Sequence, residues 1–79
     1  MVTEYTVVFE PDLDEGGFVA TVPTLGIATQ GETLEEARAM VQEAIAGFIE
    51  GLRQEGHPIP EEPSDAARQI RTERVAIHI

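Results

Sequence analysis

Residues 31–60, GETLEEARAMVQEAIAGFIEGLRQEGHPIP, hold one long helix with a legible start and stop. Leu34, Ala37, Val41, Ala44, Ile45, Phe48 and Leu52 recur at three- and four-residue steps, which aligns them as one apolar stripe. Glu35, Arg38, Gln42, Glu43, Glu50 and Arg53 fall mostly on the opposite side. Thr33 and Glu36 have the spacing of a capping box. The Thr33 hydroxyl accepts the Glu36 amide, and the Glu36 carboxylate reaches back to the Thr33 amide. Glu35 favours the positive end of the helix dipole. Three glutamates so close together also have the composition of an acid–base or metal site, but the cap explains them without a substrate. Gly56 supplies a left-handed stop, and Pro58 and Pro60 prevent resumption. The helix is expected from about Leu34 to about Glu55.

Before the helix the period changes from helical to alternating. In EYTVVFE (4–10), Tyr5, Val7 and Phe9 share one face of a strand, with Thr6 and Val8 on the other. PDLDEGG is a turn in which Gly16 and Gly17 can take positive φ. FVATVP is a second strand halted by Pro23, with Phe18, Ala20 and Val22 on one face. IATQG (27–31) is a weaker third strand. After the helix, residues 56–73 form a Pro- and acid-rich connection, with a short helical turn over 64–70. ERVAIHI (73–79) alternates as a fourth strand. The expectation is one α+β domain over 1–79, ordered β-β-β-α-β. It has an antiparallel meander, a crossover helix on one face of a four-stranded sheet, and a final strand parallel to the first and beside it.

The helix covers only one sheet face. Val8 and Val19 on the other face, and the Gly47/Gly51 pair on the helix, are therefore expected self-association positions in a homodimer or higher oligomer. The two glycines would let the helix lie close to the sheet or to a partner helix.

Charge narrows the function. Of 79 residues fifteen are acidic and five basic, a net of −10, and the five basic residues are all Arg. None precedes Arg38, so residues 1–37 carry eight carboxylates and no basic side chain. Such a surface repels phosphate backbones, so direct DNA or RNA binding is not expected; it attracts a basic partner and speeds encounter. There is no cysteine, hence no disulfide, thiol nucleophile or thiolate metal site. No apolar run approaches the roughly 18 residues of a membrane span, and the first residues lack a basic start. A soluble, cytoplasmic protein is expected.

The candidate chemistries close one by one. Asp12, Asp14 and Gly17 sit at positions 1, 3 and 6 of a calcium loop, but Gly16 and Pro23 occupy positions 5 and 12. His57 and His78 have no ligand spacing for zinc, and Ser64 lies in no nucleophile elbow. No glycine loop opens a helix to cradle phosphate. Arg68, Arg71 and Arg74 form a small basic group that balances nearby acids. No enzyme, no cofactor and no metal is expected.

In combination, "DEGGFVATVP", "TQGETLEEA" and "EGHPIP" resemble the HicB-type antitoxins of bacterial and archaeal toxin–antitoxin systems over most of the chain. The resemblance implies a partial RNase H-like fold and a partner, HicA, a small basic mRNA interferase. The sequence ends directly after the fourth strand, so a stand-alone short form without the C-terminal DNA-binding segment is expected. A degenerate nuclease is not favoured, since the first strand carries only Glu4 and Glu10 for metal ions. The residues expected to bind the toxin are Asp12, Asp14 and Glu15 of the hairpin and Glu32, Glu35 and Glu36 at the helix start. The alternative is an orphan homo-oligomeric adaptor with no toxin.

Overall fold

The computed structural model describes residues 2–62 and 72–78. Alternation builds strands β1 (Val2–Pro11), β2 (Phe18–Val22) and β3 (Ile27–Gly31). The helical period builds α1 (Leu34–Gln54), and β4 (Thr72–His78) follows. The sheet order is β3-β2-β1-β4, and the helix lies on one face. The α+β class, the element order and the position of the last strand beside the first agree with the sequence reading. The helical turn expected over 64–70 lies outside the described residues, as do Ser64, Arg68 and Arg71.

The core follows from the two periods. Tyr5 and Val7 of β1, Ala20 and Val22 of β2, and Val75 and Ile77 of β4 face Ala37, Val41, Ile45 and Ile49 of the helix. Each large aliphatic side chain so enclosed contributes about 1.5–3 kcal/mol relative to exposure. Leu25 closes the β2–β3 end, and Phe9, Phe18, Ile27 and Ile59 pack around the margin.

The expected direction of the last strand is corrected: β4 is antiparallel to β1, with Val8 opposite Thr72 and Val2 opposite His78. The helix begins at the hairpin end of the sheet and carries the chain to the end where β1 begins. A strand starting there would run parallel to β1, which is the simple crossover rule. Here the chain travels back before β4 starts. Ile59 packs on the core, the Pro60 carbonyl accepts the Tyr5 hydroxyl at 2.7 Å, and Glu62 sits at Thr6. This strap advances along β1 from Tyr5 towards Val8, so β4 enters at the opposite end. Residues 55–71 are ample for the return, since an extended chain spans about 3.3 Å per residue.

The strap is clasped by one side chain. β2 leaves the sheet after Val22, which strands the Thr6 amide without a ladder partner. The Glu62 carboxylate takes its place, accepting that amide at 2.8 and 2.9 Å, the Thr24 hydroxyl at 2.8 Å and the Thr6 hydroxyl. This satisfies Thr6, which is buried.

The helix ends are as expected and its stripe is not. Gly56 (φ 75°) stops the helix, and the Gly56 and His57 amides donate to the Arg53 and Leu52 carbonyls, a Schellman closure. Leu34 and Phe48, expected in the stripe, are 39% and 36% exposed, and Ile49 is buried in their stead. The helix faces the sheet along Ala37–Val41–Ile45–Ile49, strict four-residue steps that rotate the buried line away from Phe48. Nor do Gly47 and Gly51 let the helix approach the sheet: among the described residues a Cβ at either would meet nothing within 4 Å. Among the described residues no helix is long and apolar enough to cross a membrane.

Candidate functional site

Three backbone segments meet at the hairpin end of the sheet, and two glycines permit the meeting. Gly17 opens β2 with φ 78°, and a Cβ there would lie 2.4 Å from the Gly31 carbonyl oxygen. Gly31 closes β3, and its Cβ would lie 2.3 Å from the Ala37 amide nitrogen. Hairpin, strand end and first helical turn are thus in backbone contact, which no side chain at either position would allow.

The hairpin is closed by its own hydrogen bonds. Asp12 accepts the Asp14 and Glu15 amides at 3.0 and 3.1 Å through Oδ1, and its backbone pairs with Gly16 and Gly17. That is an Asx turn, and it commits Asp12 to holding the loop. Leu13 at the tip is 92% exposed. On the facing side, Thr33 caps the helix, with its hydroxyl accepting the Glu36 amide at 3.0 Å as expected. The reciprocal bond differs: the Glu36 carboxylate accepts the Glu32 amide, at 3.3 Å, instead of that of Thr33. The box therefore reaches one residue further back and ties Glu32 to the helix.

Between these parts lies a cleft of about 460 Å³ lined by Glu15, Gly16, Gly17, Gln30, Gly31, Glu32 and Glu36. The structure brings together three of the six acids singled out from the sequence: Glu15 from the hairpin, Glu32 and Glu36 from the helix start. Asp14 and Glu35 are exposed outside the cleft, and Asp12 is used by the turn. Gln30 and Gly31 were not anticipated; the only sequence signal was their place at the end of the third strand. The Glu50–Arg53 ion pair (3.9 Å) and the approach of His57 Nε2 to Glu55 (3.3 Å) lie at the far end of the helix. Arg38 lies 5.6 Å from the centre of the Phe9 ring. Among the described residues no three acidic or imidazole groups are placed to hold a metal ion.

Of the other four sequence-predicted positions, Val8 and Val19 are half-buried on the sheet face that the helix leaves uncovered. Gly47 and Gly51 are on the exposed flank of α1. These four positions do not form one surface, since the sheet separates them.

The site is thus an open cleft in an acidic α+β fold, with Glu15, Glu32 and Glu36 among its lining residues. Residues 5–77 match the family described as HicB-like antitoxin of bacterial toxin–antitoxin systems, and the chain belongs to that family. It is similar to the UPF0150 protein ssr1765 of Synechocystis sp., with 48% identity over 59 residues, 73% of each chain. It is also similar to the UPF0150 protein Ta0767 of Thermoplasma acidophilum, with 38% identity over 63 residues, 78% of this chain and 90% of that one. No solved structure matches it.

Proposed function

We propose that this chain neutralises a small basic HicA-type mRNA interferase by covering its RNA-binding and catalytic surface. The observation that carries the reading is the convergence of Glu15, Glu32 and Glu36 on one cleft, in a member of an antitoxin family. Lysine and arginine side chains that hold RNA phosphates are the groups such a cleft attracts, so occupying them excludes the RNA. The net charge of −10 steers the encounter, and the Asx turn and helix cap fix the backbone that carries the carboxylates. Asp14 and Glu35 extend the field without lining the cleft.

The test is co-purification with any HicA-type protein encoded beside this gene, followed by binding measured across salt concentrations. Binding is expected to weaken steeply as salt rises, and to weaken further in the Glu15→Gln/Glu32→Gln variant. Absence of binding to such a protein would sink the reading. The uncovered sheet face with Val8 and Val19 supports a second reading, a homo-oligomeric adaptor without a toxin. Sedimentation showing a stable oligomer that Val19→Glu disperses, with no toxin bound, would favour it.

A further inference from the structure

The two edges of the sheet are unlike. β4, on one side, carries Glu73 and Arg74, and charged residues on an edge discourage a further strand. β3, on the other, reads IATQG and has neither a charge nor a proline, in a chain of which a quarter is charged. It pairs with β2 without a bulge, from Phe18–Gly31 through Val22–Ile27. Among the described residues β3 makes no hydrogen bond beyond that ladder. Its outer row of amides and carbonyls is therefore a template for another strand.

Residues 63–71 are too short to supply that strand. They run from Glu62, held at Thr6, to Thr72, opposite Val8, so both ends are at β1. The outer side of β3 is three strand spacings from β1. The way out and back takes about 29 Å of the roughly 33 Å that ten residues span. Too little chain is left to lie along β3.

Charge decides what fits. A strand of a second copy, antiparallel about Thr29, sets Thr29 beside Thr29, Ala28 beside Gln30 and Ile27 beside Gly31. Every pair is neutral, the bulky Ile27 meets a glycine, and paired threonines are favourable across strands. The first carboxylate past the strand, Glu32, comes beside Gly26. Two chains of net charge −10 can meet along this line without opposing carboxylates. A strand from a basic protein finds no carboxylate on Ile27–Gly31, and its cations are drawn to Glu15, Glu32 and Glu36 instead. Ala28 and Gln30 are exposed and line, with Val19 and Thr29, an open cavity of about 560 Å³ that can admit a neighbour's side chains. Gln30 and Gly31 also line the acidic cleft, so pairing brings the second copy's Ile27 and Ala28 to its margin.

We infer that two copies of this chain join edge to edge through β3, antiparallel about Thr29, into one continuous sheet with an acidic cleft at each end of the joined edge. The assembly needs no toxin and stands apart from the antitoxin reading. Five residues a side make a small interface, of the weak class below about 1,200 Å².

Sedimentation of the full chain up to about 1 mM should show a monomer–dimer equilibrium. The dimer should tighten as salt rises, because salt screens the repulsion between two acidic chains. Toxin binding has the opposite salt dependence, so the two readings fail separately. Register is tested by charge at two exposed positions. Ala28→Glu/Gln30→Glu sets glutamate beside glutamate twice across the two-fold axis and should weaken the dimer about tenfold or more. Ala28→Lys/Gln30→Glu sets lysine beside glutamate at the same places and should restore or strengthen it. Circular dichroism should show the wild-type fold in both variants, since both positions are exposed. Amide exchange at Ile27–Gly31 should slow as the concentration of wild type rises. A chain that stays monomeric at every salt concentration overturns the inference, as does a dimer that treats the two variants alike. A dimer dispersed by Val19→Glu and not by the double glutamate variant belongs to the open sheet face, and also overturns it. Protection of β3 that appears only on adding a basic protein assigns the edge to that protein and overturns the inference too.

Discussion

Glu62 and Glu15 are both glutamates beside the sheet, and the fold treats them in opposite ways. Glu62 is surrounded by donors: the Thr6 amide and hydroxyl and the Thr24 hydroxyl all point at its carboxylate. Glu15 shares a cleft with Glu32 and Glu36 and is exposed. At one end of the sheet a carboxylate completes the structure; at the other, carboxylates line an open cleft. The difference is made by what surrounds each group. A strand that ends early leaves an amide to satisfy, whereas backbones held together by glycine need no side chain between them.

The glycines at the cleft should be the most sensitive positions. Gly17→Ala forces a β-carbon against the Gly31 carbonyl in a left-handed backbone. It is expected to cost about 3 kcal/mol or more in urea denaturation and to displace the helix start. A variant as stable as wild type would show that the three segments do not meet as described. At the other end, Glu62→Ala leaves the buried Thr6 amide and hydroxyl unsatisfied, and about 2–3 kcal/mol should be lost. Glu62→Gln keeps an acceptor and should cost about 1 kcal/mol. If the two substitutions cost the same, the clasp is not what holds the strap. Thr33→Ala removes the cap beneath the cleft and should cost about 1 kcal/mol, read in the same denaturation series. Smallest of all on stability, Glu15→Gln/Glu32→Gln should stay within about 0.5 kcal/mol of wild type, since neither side chain carboxylate supports the fold. Its effect belongs instead in partner binding, and a large loss of stability there would erase the contrast between the two ends.

Much of this architecture was legible because it is written in short windows. Tyr5, Val7 and Phe9 alternate in a way that only a strand places on one face. Thr33 with Glu36 and Gly56 with Pro58 mark helix ends by local hydrogen bonding, and the structure has them within a residue of expectation. The stripe was less secure. Phe48 and Ile49 are adjacent and both apolar, and choosing between them needed the direction of the sheet, which no helical period contains. The capping box was right in its hydroxyl half and shifted by one residue in its carboxylate half, because a long glutamate side chain reaches either amide.

The candidate site was legible as residues and not as a place. Asp12, Asp14, Glu15, Glu32, Glu35 and Glu36 were all visible as acids in two clusters. Only the contact of Gly17 with Gly31, and of Gly31 with Ala37, put three of them on one cleft and left Asp12 to the turn. By itself the sequence determined the strands, the helix with its two ends, and the acidity of the surface, all properties of neighbouring residues and of composition. Tertiary structure alone decided that β4 runs antiparallel to β1, that Glu62 stands in for a missing strand, and which carboxylates line the cleft. Those outcomes depend on the path of the strap and on distances between segments far apart in the chain, and local periodicity carries no information about either.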